Sequence, residues 1–83
     1  MAQAKKKKKD PILQAFATII RKRRYELSLT QEELAERAGF HVNYIGGIER
    51  AQRNPSLTSL FALAEALQCS LPDLVPNEPR KNT

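Results

Sequence analysis

Residues 29–55, LTQEELAERAGFHVNYIGGIERAQRNP, decide the fold of this 83-residue chain, because they read as two short helices separated at Gly39. Thr30 precedes a helical run and Glu33 follows it three residues later, a pairing that satisfies two free backbone amides at a helix start. Gly39 ends this run, since glycine adopts the left-handed backbone conformation at little cost. A second periodic run begins at Val42. Two helices this short pack against each other only at a steep angle.

The second of these helices has a predicted inner face and a predicted outer face. Ile45 and Ile48 recur at helical spacing, so we expect them to be buried. The residues expected on the outer face are Asn43, Tyr44, Gly47 and Arg50. This face is the part of the segment that remains free to contact another molecule.

Helical patterns on either side extend the segment into a larger domain. Asp10, which stands before a proline, predicts a first helix that ends near Leu27. Ser56 predicts the start of a fourth helix, and Ser70 with Asp73 forms a further capping pair before a short fifth helix. The sequence therefore predicts an all-α domain of five helices.

The basic charge of the chain lies almost entirely at its start. The net charge is +5, but residues 1–30 hold nine cations and two acids, a balance of +7, which leaves −2 for the rest. Such a surplus of positive charge favours the binding of polyanions such as DNA, because each neutralised phosphate releases counterions. The five lysines at residues 5–9 are open to two interpretations, a phosphate-binding arm or a solubilising or appended tail. We expect residues 1–10 to be disordered without a partner and residues 76–83 to form a flexible tail.

The residue inventory argues against most other functions. With one cysteine, Cys69, and one histidine, His41, the chain offers neither a disulfide framework nor a metal site. It lacks a phosphate-cradling glycine loop and is too small for a substrate cleft, so we expect no enzyme activity and no cofactor. No apolar run approaches the roughly 20 residues that cross a bilayer, and the start lacks a signal sequence. We therefore expect no membrane partner and a cytoplasmic, nucleoid-associated location.

The motif residues of the chain resemble those of the Cro and phage-repressor (Xre-type) helix-turn-helix family. The likeness rests on five short stretches, at residues 29–35, 38–39, 44–45, 48–50 and 53–57. It covers roughly residues 16–75. It implies a lambda-repressor-like fold for residues 11–75, with the helix-turn-helix at about residues 31–50. It also implies double-stranded DNA as the partner.

The resemblance assigns roles to individual residues. It implies that Arg24 pairs with Glu49 and so locks the first helix to the recognition helix, the alternative being two independently solvated charges. It implies DNA-base contacts by Gln31, Val42, Asn43 and Gly47. It implies DNA-phosphate contacts, which set register more than sequence, by Tyr44, Arg50, Arg53 and Asn54. Since asparagine bonds adenine and valine packs on thymine methyl groups, Asn43 and Val42 predict half-sites that contain A·T pairs.

The recognition helix departs from the family pattern at three positions. Gly46 and Gly47 replace a small polar residue and a frequently base-reading one, and glycine inside a helix costs about 1 kcal/mol relative to alanine. This predicts a softened helix, with either a close approach of the bare backbone to DNA or a shift of specificity to neighbouring residues. Ala51 stands where a glycine commonly ends the helix, so we expect the helix to run slightly longer.

Apolar residues near the end of the chain are candidates for a dimer interface. After removal of the tails, about sixty-five residues remain to build a core, and association would supplement the small stability of such a domain. In related small regulators the terminal helix packs against a symmetry mate, which implies an interface of Phe61, Leu71, Leu74 and Val75. The alternative is that these side chains only close the core of the monomer.

Two functions remain after these exclusions. The first is a sequence-specific transcriptional regulator, similar to the controller proteins of restriction-modification systems, that binds a pseudo-palindromic operator as a homodimer with reading heads roughly 34 Å apart. No domain for a small-molecule effector is evident. The concentration of the regulator itself would therefore control its activity, as in autoregulation. The second is a protein-binding module such as an antitoxin or a transcriptional coactivator.

Overall fold

A computed structural model of the protein describes residues 9–77. This part of the chain contains five helices and no strands, as predicted: α1 (Pro11–Glu26), α2 (Gln31–Ala38), α3 (Val42–Glu49), α4 (Leu57–Ala66) and α5 (Leu71–Leu74). None of them is long and apolar enough to cross a membrane. The predicted disorder of the first tail and flexibility of the last fall mainly on residues 1–8 and 78–83, which lie outside the described residues.

Side-chain caps fix the helix starts where the sequence predicted them. The Asp10 carboxylate accepts a hydrogen bond of 2.8 Å from the amide of Ile12 at the start of α1. At the start of α2, Thr30 and Glu33 each accept from the other's backbone amide, at 3.0 and 2.9 Å. A cap of this kind contributes about 1 kcal/mol to a helix. These caps therefore set the boundaries of α1 and α2, and with them the spacing between the two helices.

Three helices end in a left-handed residue that is not glycine. Ser28, Ala51 and Gln68 follow α1, α3 and α4 with φ angles of 58°, 60° and 58°. A side chain in this backbone conformation costs roughly 1–2 kcal/mol, whereas Gly39 after α2, with φ 80°, adopts it freely. The fold therefore carries three mildly strained helix ends.

The end of α3 differs from the sequence prediction. Its last helical residue is Glu49, and the prediction that the helix runs longer because Ala51 is not glycine is wrong. The amide of Ala51 donates to the carbonyl of Ile48 at 3.0 Å, and the amide of Gln52 donates to that of Gly47 at 2.8 Å. These two bonds satisfy the last carbonyls of the helix, and they require the left-handed residue at position 51.

A single apolar core joins all five helices. Short α2 packs across α3, α1 covers α3, and α4 and α5 close the remaining side. Full burial of such a side chain contributes about 1.5–3 kcal/mol. The largest fully buried side chains are Ile20, Leu34, Ile45, Ile48, Leu63, Leu67 and Leu74. This core supports α2 and α3 from beneath, and within α3 Asn43 is the exposed residue.

Leu74 belongs to this core, so its assignment to a dimer interface is wrong. It is 0% exposed, because α5 packs on both α1 and α4 and inserts this leucine between them. For this residue the alternative considered from the sequence, closure of the monomer core, is the correct one.

The other three predicted interface residues lie along two separate grooves. Phe61, which is 56% exposed, and half-buried Leu71 line a groove between α4 and α5. Val75, which is 51% exposed, lines a second groove together with Ile12 of α1. Leu57 lies one turn before Phe61 on the same face of α4 and is also exposed. The first groove therefore combines more of the expected residues than the second.

Candidate nucleic-acid interface

The candidate interface is built on a buried ion pair between α1 and α3. Nε and Nη2 of Arg24 donate to Oε2 and Oε1 of Glu49 at 2.6 and 2.9 Å, a bidentate arrangement. Arg24 is 7% exposed and Glu49 is 5% exposed. The two residues therefore form the predicted pair rather than two independently solvated charges.

Three further polar contacts converge on the same place. Nε2 of Gln31, at the start of α2, donates to Oε1 of Glu49 at 2.9 Å. Nη1 of Arg24 donates to the carbonyl of Leu29 at 2.9 Å, and Arg21 donates to the backbone carbonyl of Glu49. Since these groups come from α1, from α2 and from the turn between them, they fix how α3 is presented.

The positive charge of Arg24 is secure. The hydrogen bond to the Glu49 carboxylate raises the pKa of the Arg24 guanidinium above its ordinary value, against the opposing effect of burial. Arg24 therefore keeps its charge at any pH at which the folded protein is handled. A buried pair of this kind is expensive to break, because the remaining partner is left as an uncompensated buried charge.

The start of α3 turns a polar edge to solvent. His41 caps the helix, its Nδ1 accepting from the amide of Asn43 at 3.0 Å. Asn43 itself is exposed, whereas Val42 is half-buried and packs partly against the core. Gln31 is also half-buried and is held by Glu49. Among the four residues expected to contact bases, Asn43 is therefore the one whose side chain is fully available.

The middle of α3 is covered by Arg53, so the expectation that Gly47 lies open on the outer face is wrong. Gly47 is buried, and a Cβ atom built on it would lie 2.7 Å from Cγ and 3.2 Å from Nε of Arg53. The guanidinium carbon of Arg53 lies 5.9 Å from the centre of the Tyr44 ring, within the range of a cation–π contact. The glycine thus provides the space in which the arginine lies across the helix.

Of the other residues expected at phosphates, Tyr44 lies beside this arginine. The Tyr44 ring meets the edge of Phe40 with centroids 4.9 Å apart and an interplanar angle of 61°. Arg50 is exposed, and its Nε donates to Oε1 of Gln52 at 3.1 Å. Asn54 is exposed in the loop before α4. The described structure therefore brings Tyr44 and Arg53 together. Arg50 lines a different groove, between α1 and the end of α3, and Asn54 lines the groove of Ile12 and Val75.

Two cations for which the sequence predicted no contact with α3 lie at its end. Arg21 donates to the carbonyl of Glu49, and Lys9 donates to the carbonyl of Arg50. Both carbonyls belong to the negative end of the helix dipole, where cations are favourable. The spacing of Arg21 and Arg24, three residues apart on one face of α1, is the signal that could have indicated the first contact. No comparable signal exists for Lys9, which is one of five successive lysines.

The fold and this site define a helix-turn-helix protein. The sequence profile described as helix-turn-helix matches residues 19–74, and the chain belongs to that family, the Cro and phage-repressor type. Within the family it is a transcriptional regulator of the restriction-modification controller type. The predicted resemblance is thereby confirmed, and the family is one of transcription regulators rather than of enzymes.

Named relatives support this placement. The chain is 42% identical over 71 residues to the control protein C.SmaI of Serratia marcescens, a match that covers 86% of this chain and 84% of the relative. The crystal structure of the restriction-modification controller protein C.AhdI from Aeromonas hydrophila aligns with a TM-score of 0.73 and 40% identity, covering 75% of this chain and 94% of that one. The controller protein C.Esp1396I, solved as a tetramer in complex with its natural 35-base-pair operator, aligns with a TM-score of 0.70 and 36% identity over 74% of this chain and 80% of that one.

Proposed function

We propose that the chain is a sequence-specific regulator that binds double-stranded DNA as a homodimer, on a pseudo-palindromic operator that includes a site beside its own gene. It would act in the cytoplasm, on the nucleoid. The observation that carries this proposal is the buried Arg24–Glu49 pair beneath an exposed polar edge of α3. Burying two charges under a helix costs desolvation free energy. Their burial here therefore supports a function that depends on a fixed orientation of that helix.

Asn43 is the central base-reading residue of this proposal. It lies at the exposed start of α3, the end that enters the major groove in helix-turn-helix proteins. Its amide has the donor and acceptor that a bidentate contact with adenine requires. Val42 contributes the exposed part of its side chain to a thymine methyl group, and Gln31 braces α3 through Glu49.

Arg53 is added to the groove-facing residues. The family resemblance implied a phosphate contact for it, but its stem lies over Gly47 in the middle of α3 and its guanidinium extends towards Tyr44. From this position the guanidinium is free to meet a guanine edge or a phosphate beside the groove. Arg50 and Asn54, which are both exposed, keep their assignment to the DNA backbone.

Dimerisation is proposed to use the groove of Phe61 and Leu71. Phe61 is a large exposed aromatic side chain, and with Leu57 it forms an apolar stripe on α4 that a second copy would bury. Two-fold symmetry of such a dimer explains why the operator should be a pseudo-palindrome. Leu74 contributes only indirectly, by holding α5 in place.

The proposal is tested by footprinting the purified full chain on DNA that flanks its own gene, followed by a comparison of two asparagine variants. Asn43→Ala is expected to lose about 1–3 kcal/mol of discrimination at one position of each half-site while binding to random duplex stays unchanged. Asn54→Ala is the matched control, expected to weaken operator and random DNA alike.

Two outcomes count against this function. Equal losses on both DNAs for Asn43→Ala would remove Asn43 from the base-reading residues. Absence of any duplex preference over competitor at moderate salt would reject operator binding altogether and favour the protein-binding alternative.

A further inference from the structure

We propose that His41 is a positioning residue for base reading, and that its neutral imidazole holds Asn43 in the conformation that discriminates between DNA sequences. This inference rests on the proposed function and deepens it, because it names the group on which the reading position of Asn43 depends. It also makes the sequence preference of the protein depend on pH, through the one histidine of the chain.

The imidazole of His41 takes the place of the oxygen that usually caps a helix. Its Nδ1 accepts from the backbone amide of Asn43 at 3.0 Å, and its own backbone has the extended conformation of a capping residue, with φ −71° and ψ 145°. A ring nitrogen that accepts a hydrogen bond carries no proton, so the neutral ring carries its proton on Nε2. The cap therefore exists in one protonation state and one tautomer of the imidazole.

The amide that is capped belongs to the residue proposed to read bases. Asn43 lies in the first turn of α3 and is exposed, whereas the later part of the helix is held by the fully buried side chains of Ile45 and Ile48. The amides of a first helical turn have no partner within the helix, so this turn depends on its cap. Loss of the His41 cap therefore acts on the reading end of α3 and leaves the core beneath it intact.

Protonation of His41 removes the cap and adds a charge. Histidine ordinarily changes its charge between about pH 5 and 8. An imidazolium carries a proton on both nitrogens, so Nδ1 would direct an N–H towards the amide N–H of Asn43. It would also place a cation at the positive end of the helix dipole, although the same charge attracts phosphates. We therefore expect acid to weaken discrimination between sequences while it strengthens the attraction to any duplex.

The groups around His41 do not hold it in one charge state. His41 is exposed, and the nearest charged residues of α2 along the chain, Glu36 and Arg37, are exposed and opposite in sign. On α3 the nearest titratable group is the phenol of Tyr44, with the Arg53 guanidinium carbon 5.9 Å from its ring centre. Neither of the ion pairs found in the described part of the chain includes His41.

The test compares the full chain with two variants across the range in which histidine titrates, from about pH 5.5 to about pH 8. The quantity measured is the ratio of affinity for the footprinted duplex to affinity for a random duplex. His41→Asn supplies a good cap that does not titrate, whereas His41→Ala removes the cap at every pH. The ratio for His41→Ala is expected to lie about fivefold below that for His41→Asn throughout, the equivalent of one cap.

The unchanged chain is expected to move between these two limits. At the upper end of the pH range its ratio should match that of His41→Asn, and at the lower end it should fall to that of His41→Ala. The terminal α-amino group also titrates, at about pH 8, so the result is taken from the differences between the three chains at each pH.

A second measurement needs no DNA. Nitrogen-15 NMR of the imidazole in the free protein is expected to show the Nε2–H tautomer at about pH 8. A ring protonated on Nδ1 would have no acceptor for the amide of Asn43 and would overturn the proposal. Circular dichroism at each pH verifies that the chains are folded. Should His41→Ala fail to fold, the comparison of the unchanged chain with His41→Asn carries the same test.

The results distinguish this proposal from the function on which it rests. If the unchanged chain follows His41→Asn at every pH, the proposal is rejected while the regulator remains. If His41→Ala loses free energy of unfolding but keeps the ratio of His41→Asn, the cap only supports the fold, and the proposal is again rejected. If none of the three chains prefers the footprinted duplex even at the upper end of the pH range, the proposed function fails, and this inference fails with it.

Discussion

Arg24 of α1 and Glu49 of α3 are 25 residues apart in the chain and share two hydrogen bonds of 2.6 and 2.9 Å inside the fold. The same carboxylate accepts from Gln31, so α1, α2 and α3 meet at one group. A small rotation of α3 would stretch all three bonds at once. The pair thus makes the orientation of the recognition helix part of the folding of the domain.

Removing one partner of this pair is expected to destabilise the domain strongly. Glu49→Gln leaves the Arg24 charge buried and unpaired, which should lower the free energy of unfolding by about 3–5 kcal/mol. That is a large part of the stability of a domain of this size. Urea unfolding followed by circular dichroism measures the loss. A loss below 1 kcal/mol would show that the pair behaves like an exposed one.

Replacing both partners separates stability from function. Arg24→Met combined with Glu49→Leu removes both buried charges, and it should recover most of the stability lost by Glu49→Gln. Operator affinity should stay low, because Gln31 and Arg24 no longer brace α3. Full recovery of operator binding, measured on the same duplex, would mean that apolar packing alone orients the helix.

The adjacent glycines of α3 provide a matched pair of substitutions. Gly46→Ala and Gly47→Ala should each gain up to about 1 kcal/mol of helix stability. At Gly46 the new Cβ would lie 3.0 Å from the far end of the Arg50 side chain, which can move away, whereas at Gly47 it would displace the Arg53 stem, 2.7 Å away. We expect operator affinity to fall about tenfold, or ~1.4 kcal/mol, for Gly47→Ala alone. Equal affinities of the two variants would remove Arg53 from the groove-facing residues.

Three lysine substitutions distinguish the proposed dimer groove from the core. Phe61→Lys should shift the chain to monomers in sedimentation equilibrium while its helical circular dichroism is retained. Val75→Lys, in the other groove, should leave the mass unchanged. Leu74→Lys should unfold the domain, because it places a charge at a fully buried position. Monomers from Val75→Lys, with Phe61→Lys still dimeric, would move the interface to the groove that Val75 lines.

The strained helix ends predict a stabilising substitution. Gln68→Gly relieves a side chain held at φ 58° and should raise the free energy of unfolding by about 1 kcal/mol, or roughly 4–8 °C in melting temperature. Gly39→Ala is the converse control: no atom lies within 4 Å of the added Cβ, so its expected loss comes from the backbone alone. A neutral Gln68→Gly in thermal melts would show that the Gln68 conformation carries no strain.

The sequence predicted the helices well because their signals are local. The capping pair of Thr30 and Glu33 and the N-cap Asp10 act within a few residues, and the structure contains each of them. The resemblance to a known family then supplied the Arg24–Glu49 pair, which connects residues far apart in sequence. No periodicity in the chain indicates that contact by itself.

What the sequence missed depends on how elements pack. Whether Leu74 closes a core or an interface depends on α5 folding back onto α1, and its apolar character fits both. Gly47 lies at an outer helical position, yet the next loop returns Arg53 over it, and loop direction has no pattern in the residues. The helix end at Ala51 was missed for a similar reason. Two backbone hydrogen bonds hold this alanine in the left-handed conformation that alanine ordinarily avoids.

The two cations at the end of α3 change the charge that this helix presents to its surroundings. A helix placed against DNA shows the phosphates a partial positive charge at one end and an equal negative charge at the other. Here Arg21 and Lys9 lie on the carbonyls of the negative end. Their positive charges therefore offset the negative partial charge at the end of α3, the end that would otherwise repel phosphates.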